Sequence, residues 1–304
     1  MSTLIQVFAK TPNHLIIASV VGGFPGGSYF PILLSMIGDI ADEEEKRKGI
    51  STLFLFSGIG MVIGPSLVAF FLLSPQITLR NIYQISAITQ FLALFYMQIV
   101  IKETNPPGKQ EKIAIMSQIK GLITQKGLLS LLVVTFLFSL YHSIFRTYAP
   151  IYGRLILGFT DPQVVSLETY RNLGVMLIRL SFATFMTNAS IPVALLVVLG
   201  LGGLTGLLVL FANNYIFVSL IVFLVGVCFG AFRILSTTII ADSSVPENRG
   251  LANSLIQFSQ STGILVKIFT SSMAESFGLI PVFLLAGATC LSAIIPTLRS
   301  KLGR

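Results

Sequence analysis

Ile40-Ala41-Asp42-Glu43-Glu44-Glu45-Lys46-Arg47-Lys48-Gly49 is the stretch that decides the fold. Its first three residues return as Ile240-Ala241-Asp242, 200 positions later. Each copy closes an apolar, glycine-bearing segment. Each is followed by a short charged turn, 43–48 or 246–249, and then by a glycine, Gly49 or Gly250, that opens another long apolar run. A repeat at half-protein scale, with charged turns at matching places, points to two related helical bundles. Many secondary transporters are built in this way.

Composition fixes the solvent of these bundles. Hydrophobic residues make up 54% of the chain and charged residues 11%. The mean hydropathy is +0.86. A water-facing globule carries about 25% charge, so this chain has too little polar surface for one and must face lipid. Cys228 and Cys290 both lie in apolar runs, and their positions give neither a disulfide framework nor a metal-ligand spacing. The net charge of +8 does not call for nucleic acid, because the basic residues sit mostly in short loops.

About 20 apolar residues cross a bilayer. Nine such segments are expected, over 14–37, 50–73, 81–101, 127–149, 164–186, 191–211, 215–240, 251–273 and 278–298. The polar stretch 102–126 contains Asn105-Pro106-Pro107-Gly108, which breaks helices, and marks the boundary between bundles. The expected organisation is therefore a three-span N-terminal bundle over 1–101, a cytoplasmic linker over 102–126 and a six-helix bundle over 127–304. Residues 2–13 are too short to span and lack the features of a signal peptide. Loops on one side carry twelve basic residues. The opposite loops carry Lys10, Arg80, Arg154 and Arg171. The asymmetry places the first set in the cytoplasm, with the C-terminus inside and the N-terminus outside.

Four basic residues fall within the expected spans: Arg146, Arg179, Arg233 and Lys267. Each costs about 2.5–3.5 kcal/mol at mid-helix, so four unpaired charges amount to roughly 10 kcal/mol. An aqueous cavity or a bound anion removes that cost; snorkelling near a span end is the alternative for Arg146 and Arg179. His142 and Arg146 are four apart and share a face. Asn253, Gln257, Gln260, Lys267 and Ser271 form a polar stripe at helical spacing. Such a stripe is costly against lipid and suits a cavity wall. Gly226, Gly230 and Arg233 share a face, and the glycines permit close helix approach. Asp39, Asp242, Glu168 and Glu275 are placed near span ends, which leaves the cavity electropositive. The candidate solute-binding residues are thus His142, Arg146, Arg233, Gln257, Gln260 and Lys267. Asp42 with Arg47, and Asp242 with Arg249, could latch helix ends.

In this order, these features resemble the major facilitator superfamily. The run 15–31, with Gly22, Gly26 and Gly27, is similar to the family's fourth helix, and Asp42 to Gly49 to its following cytoplasmic loop. Gly60-Met61-Val62-Ile63-Gly64-Pro65 resembles the G-x-x-x-G-P core of the fifth-helix motif associated with antiporters. Arg179 sits where many members carry an eighth-helix arginine. Gly60, Gly64 and Pro65 are read either as a gating hinge or as simple helix packing, and Arg179 joins the gating set. The last six spans match one half of the family's twelve-helix fold. The family's first three helices and their charged loop have no counterpart here, and a fourth-helix arginine would fall at Ala18.

The expectation is an all-α polytopic membrane bundle with a partial two-bundle transporter fold, in the cell (inner) membrane. The electropositive cavity suits a small anionic solute moved by alternating access, and the resemblance of Gly60–Pro65 implies efflux by antiport. Its partners are that solute and the lipid bilayer, with a missing N-terminal segment, a partner subunit or self-association completing the first bundle. The alternative is a non-transporting receptor or interaction subunit on the same fold. No enzyme activity, catalytic residue, metal or cofactor is expected.

Overall fold

The computed structural model describes residues 2–22, 33, 36, 43–101, 127–185, 190–243, 249–267 and 269–300; side chains at 43–48, 182–185, 241–243, 249 and 250 are outside the description, as are those of Ile50, Ser51 and Phe54. The described residues are mostly helical and contain no strand. The linker 102–126, Asp42, Gly26 and Gly27 lie outside the described residues. So do the side chains of Arg47, Asp242 and Arg249.

In chain order, the described helices begin with α1 Ser2–Val7 and α2 Pro12–Gly22. Then come α3 Glu43–Phe71, α4 Leu79–Val100, α5 Leu128–Leu155 and α6 Asp161–Phe185. α7 Ile191–Leu208 runs into a 3-10 turn at Val209–Phe211, and α8 is Tyr215–Ser243. α9 Arg249–Val266, α10 Phe269–Phe277, α11 Leu279–Ser292 and α12 Ile294–Arg299 complete the chain. Among the described residues, five segments are long and apolar enough to cross a membrane: Leu79–Val100, Leu128–Leu155, Ile191–Phe211, Tyr215–Ile240 and Leu279–Arg299. α6 has 25 residues but interrupts its apolar face with Glu168, Arg171 and Arg179.

One expected span is broken, and another carries a turn within it. The segment expected over 251–273 stops at Lys267, where Thr270 N–H bonds back to the Lys267 carbonyl at 2.8 Å. The segment expected over 278–298 is interrupted at Ala293, ahead of Pro296. Proline supplies no N–H to the preceding turn.

The chain divides into two compact units. The first comprises Met1–Gly60 and Leu67–Lys112, the second Met61–Ser66 and Ile113–Arg304. In the first unit α1 packs on α4. Thr3 Oγ1 donates to Gln90 Oε1 at 2.7 Å, and Arg80 Nε donates to the Val7 carbonyl at 3.0 Å. Thr78 and Asn81 close a reciprocal cap at the start of α4, which satisfies N–H groups that a helix leaves open.

In the second unit α6 lies along α8, α5 against α9, and α11 against α5 and α7. Small residues set these approaches. A Cβ at Gly226 would fall on the Arg171 carbonyl, and one at Gly206 would meet the backbone of Gly287 at 2.6 Å. The core between the helices is aromatic. Phe138 stacks on Phe232 with centroids 4.0 Å apart. The buried Tyr141 hydroxyl meets Thr205 Oγ1 at 2.8 Å, so the core's phenol is hydrogen-bonded, as a polar group out of water must be.

Candidate functional site

Glu168 and Arg171 are three residues apart on α6, so they share a face and form an ion pair along the helix. Arg171 Nε donates to Glu168 Oε2 at 2.9 Å and Nη2 to Oε1 at 2.6 Å. This two-bond fork is the strong form of a guanidinium–carboxylate pair. Nη2 also donates to Asn172 Oδ1 at 2.7 Å, and Nη1 lies 3.3 Å from His142 Nε2 on α5. Arginine can only donate. His142 Nε2 therefore accepts, and the ring is neutral with its proton on Nδ1. Its face stacks on Phe229 of α8 at 4.0 Å.

Arg171 is 4% exposed. This corrects the expectation that it belongs to an external loop. Both Glu168 and Arg171 lie within α6, and Arg171 joins Arg146, Arg179 and Arg233 among the basic residues inside the helices of the second unit. The signal was present in the sequence as the Glu168-x-x-Arg171 spacing.

Arg146 approaches the same carboxylate from α5. Its Nη2 is 3.6 Å from Glu168 Oε1, and its side chain is 62% exposed. These groups line a small, partly open cleft whose other walls are Phe145, Ala149, Pro150, Leu167, Val222 and Val225. Lys267, at the break after α9, donates to Thr147 Oγ1 at 2.9 Å. It lies within electrostatic reach of Arg146 and His142.

Arg233 belongs to a separate group. It donates to Gln260 Oε1 at 2.8 Å. Gln257, with its amide oxygen turned to the guanidinium, accepts from Arg233 Nη1 at 3.0 Å and from Nη2, and its nitrogen donates to Gln260 Oε1 at 3.2 Å. Arg179 is in electrostatic reach of Arg233. The six candidate solute ligands thus fall into two clusters. His142, Arg146 and Lys267 gather around the α5–α6 pair, and Arg233, Gln257 and Gln260 around α8 and α9.

The resemblance motif on α3 meets the first cluster through its proline. Pro65 has no N–H, so the Met61 carbonyl four residues earlier loses its helical partner. Asn172 Nδ2 donates to that carbonyl at 2.6 Å. Met61–Ser66 group with the second unit, and Asn172 joins them to Arg171. This residue was not singled out from sequence, because nothing local shows which carbonyl an asparagine will reach. A Cβ at Gly60 or Gly64 would meet nothing within 4 Å among the described residues.

Among the described residues, no group of three or more His, Cys, Asp or Glu side chains could hold a metal.

The fold has solved counterparts. The human organic anion transporter MFSD10 (TETRAN) is 14% identical, with a TM-score of 0.67, and the match covers 97% of this chain and 74% of that one. A bacterial homolog to the human lysosomal transporter Spinster, inward-facing and unoccupied, is 12% identical with a TM-score of 0.68, covering 99% and 79% of the two chains. The same type of protein in its occupied inward-facing form is 12% identical with a TM-score of 0.61, covering 98% and 78%. At these identities the likeness is one of fold. No curated protein matches the chain. A sequence model of the Major Facilitator Superfamily matches residues 1–194, more than half of the chain. Together with the helical membrane fold, this match shows that the chain is an integral membrane protein belonging to the Major Facilitator Superfamily of transporters.

Proposed function

We propose that this transporter moves a small anionic solute by alternating access, as an efflux antiporter. The observation that carries the reading is the charge inside the second unit. Arg146, Arg171, Arg233 and Lys267 stand within its helices or at the helix break, and Arg146 and Arg171 share the Glu168 carboxylate. Like charges grouped within a membrane bundle persist only where something neutralises or hydrates them. An anionic solute supplies that neutralisation when it binds. The organic anions named for the human structure of the same fold are in keeping with this chemistry.

In this reading residues 1–101 and 127–304 are the two bundles whose rocking alternates access, with the C-terminus in the cytoplasm and the N-terminus outside. In this scheme Gly60, Gly64 and Pro65 provide the bend, and Asp42, Arg47, Arg179, Asp242 and Arg249 hold the closed ends. The antiport element rests on the resemblance of Gly60–Pro65 to the antiporter motif. Its test is counterflow. Proteoliposomes are preloaded with unlabelled naphthalene-2-sulfonate and given labelled sulfonate outside. Faster labelled entry in preloaded than in empty vesicles supports exchange of anions. Equal, non-saturable entry in both, matching protein-free vesicles, sinks the reading.

A further inference from the structure

We propose that Glu168 is a built-in stand-in for the solute's anionic group, holding the place beside Arg146 that the solute's carboxylate or sulfonate takes on binding. This rests on the reading of the chain as an anion carrier and names the contact that makes it one. The asymmetry of the two arginines motivates it. Arg171 engages four of its five N–H groups, two with Glu168, one with Asn172 and one with His142, and it is 4% exposed. It is a positioning residue with little left for a ligand. Arg146 makes one long contact to Glu168, 3.6 Å, and its side chain is 62% exposed. That separation exceeds hydrogen-bond length. Arg171 therefore anchors the carboxylate, and Arg146 is the partner that can be exchanged.

The cleft sets the rest of the ligand. Arg146, Glu168 and Arg171 form its polar side, and Phe145, Leu167, Val222 and Val225 are among its apolar walls. Pockets of this kind orient a ligand through few polar groups and hold it through apolar area. The matching solute is a monoanion on an apolar body. Lys267 stands within electrostatic reach of Arg146, so the positive field persists when the solute arrives. Two guanidiniums facing one carboxylate leave a net positive charge, and Lys267 adds to it, which disfavours organic cations. Because Glu168 stays bonded to Arg171, binding needs no carboxylate to leave the site. It needs only Arg146 to turn from one anion to another.

The test is binding of naphthalene-2-sulfonate to the detergent-purified chain by calorimetry, with neutral naphthalene-2-sulfonamide as the control. Arg146→Gln is expected to weaken sulfonate binding roughly tenfold or more and to leave the sulfonamide unchanged. Glu168→Gln keeps an acceptor for Arg171 and is expected to tighten sulfonate binding roughly fivefold or more, an energetic coupling of ordinary size. In the Arg146→Gln background the gain from Glu168→Gln should vanish. Folding of each variant is read from the heat-dependent labelling of the buried thiols Cys228 and Cys290. Unchanged sulfonate affinity in Arg146→Gln overturns the proposal while leaving anion transport standing. Weaker binding by a folded Glu168→Gln overturns it as well. If Glu168→Gln does not fold, the sulfonate-to-sulfonamide ratio of Arg146→Gln decides alone. A wild-type chain that binds no sulfonate overturns both the proposal and the anion reading.

Discussion

α4 and α5 are both long and apolar enough to cross a bilayer, yet they are covered in opposite ways. The apolar window of α4 is 11% buried inside the protein and that of α5 is 67% buried. Ile85, Ile88, Phe91 and Phe95 of α4 are exposed, as a lipid-facing helix allows. After Arg80, α4 carries no charged residue. α5 buries Thr135, Ser139, His142 and Ser143 and carries Arg146. Hydrocarbon offers these groups no hydrogen bond, so protein must cover them. Overall apolarity does not decide which helix faces lipid; the polar groups do: His142 and Arg146 take partners from α6, and His142 stacks on Phe229 of α8.

The comparison can be broken first at its most costly contact. Glu168→Ala strips the buried Arg171 of its carboxylate, and an uncompensated buried charge costs about 3 kcal/mol or more. Thermal unfolding of the detergent-purified variant should show that loss. A change below about 1 kcal/mol would mean that Arg171 is neutralised from elsewhere.

The next effect separates the glycines of the two units. Gly226→Ala drives a methyl into the Arg171 carbonyl and should cost about 2 kcal/mol through overpacking. Gly60→Ala meets open space and should leave stability unchanged or raise it by about 0.5 kcal/mol. If Gly60 also bends during transport, the same stable variant will lose flux. Full flux would remove Gly60 from the gating set.

Asn172→Ala removes the donor that covers the Met61 carbonyl and should cost about 1–2 kcal/mol. Pro65→Ala restores an N–H to that carbonyl. In its background, the cost of Asn172→Ala should shrink by about 0.5 kcal/mol or more, a coupling expected of groups that share one acceptor. Unfolding of the two singles and the double measures it, and strict additivity would show that Asn172 acts only through Arg171. The smallest effect belongs to α4. Ile88→Ala, on its exposed face, should shift stability by no more than about 0.5 kcal/mol.

These contrasts show what the chain discloses by itself. Spans are legible because a bilayer demands about 20 apolar residues, and Leu79–Val100 or Tyr215–Ile240 supply them. Faces are legible because helical periodicity puts Gly226, Gly230 and Arg233 in one row. Partners are not, because a face does not name its opposite. Gln257 and Gln260 find Arg233, while Lys267, on the same stripe, finds Thr147. The break at Lys267 has no proline to announce it. A count of loop charges puts Arg171 outside the helices, whereas the Glu168-x-x-Arg171 spacing pairs the two on one face. The unpaired carbonyl at Met61 follows from Pro65 alone, but its donor follows only from the packing of α6.

The account stands on the sign of the charge that the second unit accepts. The most direct measurement is saturable uptake into proteoliposomes of three probes of one shape: naphthalene-2-sulfonate, naphthalene-2-sulfonamide and 2-naphthyltrimethylammonium. The account predicts saturable movement of the sulfonate, none of the ammonium, and loss of sulfonate movement in Arg146→Gln. Saturable movement of the ammonium, or sulfonate uptake that ignores Arg146, would contradict it.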